Sequence, residues 1–217
     1  MAELLITLGI IGVVAAMTIP GLRTKIRKSQ VQTGVKAAYS IFSQATKLSI
    51  NENGGISGWD IENEAEFSDK YMVPYLTSVT KLKNRYTMHT LYDADNNGNS
   101  FLFWQPPFYQ LQNGMIFTCH RGNGSGIKNM MLIVDINGQK GPNTLGTDGF
   151  VFGFSKDKDT LLPGGASCTK EEIMTGKGCS TYEGCFKGAG WKAYQGMHCA
   201  GLLQKNNWVI PKDYPLK

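Results

Sequence analysis

The side chains best suited to bind a metal ion lie in one segment, residues 135–150, which reads DINGQKGPNTLGTDGF. Four of them carry the oxygen atoms that hard cations prefer: Asp135, Asn137, Asn143 and Asp148. Carboxylate and amide oxygens are the usual ligands of Ca²⁺, so one prediction for this segment is a calcium site. The same side chains commonly cap the backbone N–H groups of turns, and that alternative stays open.

A second acidic segment, residues 93–98, reads DADNNG and matches the first six positions of an EF-hand loop. Its candidate ligands are Asp93, Asp95 and Asn97. The twelfth position of such a loop carries a bidentate Glu, but here it is Trp104. The missing carboxylate favours an Asx-rich turn over a tight calcium site. Ca²⁺ is therefore the ion that these two segments suggest, and no cofactor is required.

Five cysteines are the other candidates for chemistry: Cys119, Cys168, Cys179, Cys185 and Cys199. None of them forms a C-x-x-C pair, and four lie in a Gly-rich stretch that would be difficult to hold by core burial alone. Disulfides are the expected use in an exported chain, although the sequence does not choose the pairing. The dipeptides Cys119-His120 and His198-Cys199 could supply zinc ligands or a Cys/His nucleophile, but no spacing typical of either accompanies them. The sequence thus predicts no enzyme.

Hydrophobic segments between these loops predict an antiparallel β-sheet of four or more strands. The candidate strands are residues 101–104, 109–112, 115–118, 130–136 and 150–154. Asn113-Gly114 predicts a tight hairpin turn, because both residue types accept positive φ angles. A short helix is expected near residues 62–72, and residues 208–215 are expected to pack as an edge strand or a strap.

A long helix is predicted to support this sheet, over about residues 2–50. Residues 4–19 read LLITLGIIGVVAAMTI and carry no charge. After residue 30 the helix becomes amphipathic, with apolar residues on one face at Val31, Val35, Ala38, Phe42, Ala45 and Leu48. The predicted organisation is a membrane or filament-core helix at 1–22, its amphipathic continuation at 23–53, and a globular head at 54–217.

The net charge of +5 is concentrated beside the apolar run. Residues 1–50 hold six of the 22 Lys and Arg and one of the 17 acids, Glu3, so the remainder of the chain is charge-balanced. Nucleic-acid binders more often spread basic residues and aromatics over a folded face. The pattern therefore indicates a membrane flank and gives no support to nucleic-acid binding.

The apolar run fits neither a transmembrane span nor a signal peptide on its own. Its sixteen residues are fewer than the roughly 20 that a span needs. An acid, Glu3, stands where a signal peptide carries positive charge, and the basic residues follow the run. A buried core helix is the alternative. Residues upstream of the given start would resolve the conflict.

Residues 2–20, AELLITLGIIGVVAAMTIP, resemble the N-terminal segment of type IV pilins and type II secretion pseudopilins. The likeness is strong over about the first 50 residues. In that family a leader is cut before a Phe, and the mature chain begins Phe-Thr-Leu-x-Glu, so Met1 falls where the Leu would be. Segment 135–150 resembles the loop D-x-N-G-x-x-x-P-N-x-x-G-x-D-x-F of pilin-like proteins at every fixed position.

The resemblance implies roles for two residues and a fold. Glu3 matches the acid that meets the N-terminal amine of a neighbouring subunit during assembly, and Pro20 matches the helix-kinking proline. The implied fold is α+β, with a long N-terminal helix on an antiparallel sheet and a disulfide-bearing irregular C-terminal region. Related pilins often close that region with disulfides.

The function implied is that of a structural subunit that is membrane-anchored and then polymerised through its N-terminal helix. Its partners would be copies of itself or other pilins, the inner membrane, and prepilin peptidase with the assembly machinery. It would be found first as a single-pass inner-membrane protein and then in a periplasmic or cell-surface filament. The alternative is a membrane-anchored extracytoplasmic binding protein that never polymerises and uses Ca²⁺.

Overall fold

The structure is a computed structural model, and it describes residues 2–83, 107–122, 130–141, 143–178, 184–186 and 195–215. The candidate strand at 101–104 and the acidic segment at 93–98 lie outside these residues. Cys179 does so as well.

The chain begins with one helix of 52 residues, α1, Ala2–Asn53. At 1.5 Å per residue it is about 78 Å long. The helix continues through Pro20 and ends at Asn53. Gly54 follows with a positive φ of 78°, the left-handed conformation that commonly terminates helices. The Gly54 N–H donates to the Ile50 carbonyl at 2.9 Å. The predicted long helix is confirmed and extends a few residues beyond its expected end.

The second half of α1 packs one face on the sheet. Five of the six predicted positions are buried, namely Val31, Val35, Ala38, Phe42 and Ala45. Leu48 is 49% exposed, so its prediction is wrong. The buried face continues instead through Thr46 and Ser49, because Ser49 lies four residues after Ala45. Thr46 can be buried because its hydroxyl donates to the Phe42 carbonyl at 2.7 Å.

Among the described residues, six strands form one antiparallel sheet in the order β1-β2-β3-β4-β5-β6. They are β1 Val79–Lys81, β2 Tyr109–Leu111, β3 Ile116–Arg121, β4 Met130–Asp135, β5 Gly149–Ser155 and β6 Thr160–Pro163. Each strand pairs with the next along the chain, so the sheet is a meander. The predicted antiparallel sheet is confirmed, and two short edge strands, β1 and β6, join those expected.

The hairpin predicted at Asn113-Gly114 connects β2 and β3. The turn differs from the expected one, since only Gly114 has a positive φ, of 89°. The Gly114 N–H donates to the Leu111 carbonyl at 2.9 Å, and the Asn113 side chain accepts from the Met115 N–H. Asn113 thus acts through its side chain rather than through a left-handed backbone.

The core lies between α1 and one face of the sheet. Alternate strand residues Phe117, Leu132, Phe150 and Phe152 point to this side, where the Phe42 ring meets Phe117 edge-on at 5.0 Å. A smaller cluster on the opposite face includes Ile116, Ile133, Val151 and Met197. The period of two along β3, β4 and β5 therefore buries both faces of the central strands.

Three shorter helices complete the described part of the chain. They are α2 Glu64–Tyr71, α3 Lys170–Thr175 and α4 Cys199–Lys205. Helix α2 confirms the short helix expected at 62–72, but α3 and α4 show that the C-terminal region is less irregular than predicted. The sequence signal for α3 was Thr169-x-x-Glu172, a capping box in which each side chain bonds the other residue's backbone N–H.

The C-terminal tail is a strap and contains no strand in its described part, residues 208–215. Tyr214 anchors it by donating its hydroxyl to the Gly146 carbonyl at 2.6 Å. The Trp208 ring packs 5.3 Å from Tyr39 of α1. Of the two forms expected for this segment, the strap is the one observed.

Candidate functional site

The first half of α1 is an exposed apolar surface. The large hydrophobic side chains that the structure describes between Leu4 and Ile26 are open to solvent, and Met17 is 78% exposed. The helix is long and apolar enough to cross a membrane, and none of its most apolar window is buried. A membrane anchor and a signal sequence share this property. The surface lacks an apolar partner in the described part of the chain.

The two residues predicted to act in assembly both lie in α1. Glu3 occupies the first turn of the helix, and its side chain is outside what the structure describes. Pro20 lies within the helix at the end of the apolar run, and the Thr24 hydroxyl donates to its carbonyl at 3.1 Å. Their roles in assembly and kinking remain predictions.

The four oxygen-bearing residues of segment 135–150 come together in the loop between β4 and β5. Asp148 is at its centre: its carboxylate accepts the backbone N–H groups of Asn143 and Thr144 and the side-chain amide of Asn137. Asp135 accepts the Asn137 N–H at 3.0 Å. These contacts are those of turn capping, the alternative to a metal site.

Burial raises the pKa of Asp148 above its ordinary value. The N–H groups of Thr144 and Asn143 oppose this increase, as does the positive charge of Arg27, without cancelling it. Charge on this carboxylate is therefore disfavoured in the fold relative to water. The proximity of Arg27 on α1 to this loop could not be read from the sequence.

Two glycines fix where the loop lies. Gly138 has a φ of 69°, and an added Cβ would lie 2.4 Å from the Gly114 carbonyl oxygen, so the β4–β5 loop approaches the β2–β3 turn closely. On α1, a Cβ at Gly34 would lie 2.8 Å from the Ile136 side chain. Small residues at both positions therefore let the loop contact the helix and the neighbouring turn.

Calcium binding at either acidic segment stays a prediction. Asp93, Asp95 and Asn97 lie outside the described residues. Among the residues that the structure does describe, no three His, Cys, Asp or Glu side chains gather as a metal-binding group. The amide groups of Asn137 and Asn143 lie in the same loop between β4 and β5.

The cysteines are used in two ways in the described chain. Cys185 forms a disulfide with Cys199, the first residue of α4. Cys168 is also disulfide-bonded. Cys119 is a free thiol in the core, and burial raises its pKa to about 12. A disulfide at Cys199 and a buried neutral thiol at Cys119 are poor zinc ligands, since zinc takes thiolates.

An ion pair that the sequence did not reveal joins α2 to β3. The His120 ring lies 2.8 Å from the Glu64 carboxylate, which also accepts the Arg121 N–H at 2.7 Å. Arg121 in turn pairs with Glu62 at 3.0 Å. The available signal in the sequence was a pair of consecutive basic residues, His120 and Arg121, and a pair of acids two residues apart, Glu62 and Glu64, but only the fold shows that they meet.

No curated protein and no solved structure matches the chain. A family model does match, over residues 21–217, which covers the second half of α1 and everything that follows it. The match spans most of the chain and begins beside Pro20, just after the exposed apolar run. The chain therefore belongs to the family described as a family of unknown function, DUF6613.

Proposed function

We propose that this protein is a structural subunit of a type IV pilus or of a type II secretion pseudopilus, anchored in a membrane and then polymerised through α1. The observation that carries the proposal is the division of one helix into two halves. The second half is buried on the sheet, whereas the first leaves a continuous apolar surface in solvent. Such a surface requires lipid or other subunits to cover it.

The arrangement of the head supports the same proposal. Because the sheet covers only the second half of α1, the first half projects from the head and can bundle with equivalent helices. A contact that uses one surface to bind a different surface of the next copy does not close on itself, and it generates a helical filament. The apolar helices would then form the filament core and the head its outer surface.

Glu3 provides the test of polymerisation. A carboxylate at membrane depth is costly unless it is paired, so the resemblance predicts that it pairs with a neighbour's N-terminal amine. We expect Glu3→Ala, made in the complete gene in its native cells, to abolish filaments while leaving the protein in the membrane. Glu171→Ala is the matched control, because it removes one exposed acid from α3. Shear fractionation and immunoblotting measure the result.

Unchanged filament assembly in Glu3→Ala would contradict the assembly role. Complete absence of filaments in the parent strain, with the protein in the membrane, would favour the anchored, non-polymerising binding protein instead. Mass spectrometry of the native N-terminal peptide separates these readings independently. A methylated Phe-Thr-Leu-Ala-Glu start is expected for a processed pilin, whereas an unmodified start at Met1 would exclude that processing.

A further inference from the structure

A cleft of about 990 Å³ lies between α1 and the β4–β5 loop. Three cationic side chains line it: Arg23 and Arg27 from the helix and Lys140 from the loop. One carboxylate, that of Asp148, also lines it. The two arginines are four residues apart and so face the same side of the helix. The cleft therefore has an excess of positive charge.

These cations are available to a ligand. Within the described residues, no ion pair and no side-chain hydrogen bond is made by Arg23, Arg27 or Lys140. The one acid in the cleft, Asp148, is close enough to Arg27 to feel its positive charge, but its oxygens accept N–H groups of its own loop and form no ion pair with the three cations. The cleft lining thus carries three positive charges and one negative charge, so two positive charges are in excess.

Thr147 adds an independent sign of a missing ligand. Thr147 is one of the residues that line the cleft, it is 1% exposed, and its hydroxyl oxygen has no hydrogen-bond partner among the described residues. A buried hydroxyl without a partner destabilises a fold, so native structures normally satisfy it. An acceptor that entered the cleft and reached this hydroxyl would satisfy it.

The position of the cleft on α1 indicates where that acceptor comes from. Arg23 directly follows the exposed apolar run, and Arg27 lies about 6 Å further along the helix axis. The headgroup layer on each side of a bilayer is about 5 to 8 Å thick. With the apolar half of α1 in the hydrocarbon, the cleft opens at the depth of the lipid phosphates.

We propose that this cleft binds the phosphate of an anionic phospholipid at the surface of the membrane in which α1 is anchored. The proposal rests on the membrane anchoring proposed above. The two guanidinium groups would donate in pairs to the phosphate oxygens, with Lys140 as a point charge and the Thr147 hydroxyl as a further donor. The lipid would thereby hold the head against the bilayer before assembly.

The experiment measures partitioning of the full chain, purified in detergent, onto vesicles by flotation. One set of vesicles is phosphatidylcholine alone, and the other also contains phosphatidylglycerol. The double variant Arg23→Gln/Arg27→Gln is compared with Lys25→Gln/Lys28→Gln, which removes the same charge from the same stretch of helix but from residues outside the cleft lining. Each Lys or Arg near an anionic surface contributes roughly five-fold to binding.

Both double variants lose that general attraction, but only the arginine pair loses the contacts to phosphate. We expect Arg23→Gln/Arg27→Gln to bind anionic vesicles at least about five-fold more weakly than its control. The two variants should bind neutral vesicles like the parent protein. Equal losses in the two double variants would overturn the cleft proposal while leaving anchoring intact. Failure of the parent protein to bind either vesicle would contradict the anchoring itself.

Thr147→Val provides a second variant in which misfolding cannot explain the result. Removal of an unpaired buried hydroxyl should leave the thermal midpoint unchanged or raise it, while binding to anionic vesicles weakens by about three-fold or more. Unchanged lipid binding in this variant would remove Thr147 from the site.

Two other occupants are distinguished by titration in detergent. One outcome is that inorganic phosphate binds the parent protein at micromolar concentration and that Arg23→Gln/Arg27→Gln abolishes this binding. That result would identify the ligand as a free oxyanion and overturn the lipid proposal. Self-association that the same substitutions abolish would assign the cleft to acidic side chains of a second copy. The lipid proposal predicts neither result.

Discussion

The two halves of α1 have similar backbones but different relations to the rest of the molecule. From Val31 onward the helix buries one residue in every three or four against the sheet, whereas from Leu4 to Leu22 its large apolar side chains are exposed. The sequence differs accordingly, with an apolar stripe in one half and apolar residues on all sides in the other. A helix that is apolar all round must be surrounded, and nothing in the described chain surrounds it. The comparison teaches that one half completes the fold of the head, whereas the other half leaves an apolar surface for which we have proposed a membrane and then other subunits as the cover.

The largest expected effect is on the stability of the head, and it should differ between the two halves of α1. Phe42 is fully buried against Phe117, so Phe42→Ala should lower the free energy of unfolding of the head by about 3 to 5 kcal/mol. Met17→Ala, in the exposed half, should change it by less than about 0.5 kcal/mol. Urea denaturation of the full chain in detergent, followed by tryptophan fluorescence, measures both. Similar losses in the two variants would contradict the division.

Loss of the disulfide between Cys185 and Cys199 should have the second-largest effect on the stability of the head. The disulfide closes a sequence separation of 14 residues, for which loop-closure entropy predicts about 3 kcal/mol. We expect the double variant Cys185→Ser/Cys199→Ser to lose that amount in urea while binding neutral vesicles like the parent. Cys119→Ala is the control for loss of a cysteine that makes no disulfide. A change in vesicle binding would show that the C-terminal region supports the exposed half of α1, against the comparison.

A smaller, pH-dependent effect is expected where α2 meets β3. Burial raises the pKa of Glu64, but the hydrogen bonds and positive charges of His120 and Arg121 outweigh it, so the pKa is lower than its ordinary value of 4.5. A lowered folded pKa adds stability that is complete above 4.5 and is lost as the pH falls through the folded value. The parent protein should therefore lose stability in that acidic range.

Glu64→Gln should remove this pH dependence and cost about 1 kcal/mol at neutral pH. Glu62→Gln is the matched control, because its ion pair with Arg121 is mostly exposed and should contribute little. Thermal melts from acid to neutral pH give the comparison. If the melting temperatures of the parent protein and of Glu64→Gln change with pH in parallel, Glu64 is not the source of the acid-dependent loss of stability. Since the contact lies in the head, membrane binding should not follow the same profile.

The sequence predicted the elements whose periodicity is set locally. The stripe from Val31 to Ala45, the strands around Phe117 and Phe152, and the hairpin at Gly114 all follow from patterns a few residues long. Such patterns are strong because a shift of register would expose the whole apolar face. The apolar segments that became β3, β4 and β5, together with the Asn113-Gly114 turn, identified a sheet before any pairing was known.

The contacts that define the candidate sites could not be predicted in the same way. Arg27 and Lys140 are separated by more than a hundred residues, and only the packing of Ile136 near Gly34 brings them to one cleft. The Glu64–His120 pair likewise depends on how α2 lies on β3. Helices α3 and α4 were missed because the Gly and Cys content of their surroundings is typical of loops.

Leu48 gives the smallest effect and shows where the local pattern fails. Its spacing from Ala45 continued the apolar stripe, yet its side chain is half exposed and Ser49 occupies the buried face. We expect Leu48→Ala to change the free energy of unfolding by less than about 0.5 kcal/mol, because little apolar area leaves the core. Ala45→Ser, one turn earlier on the buried face, is the contrasting variant and should cost about 1 kcal/mol or more. A large loss of stability in Leu48→Ala would contradict this assignment. It would mean that Leu48 belongs to the buried face of α1 and that only the first half of the helix is exposed.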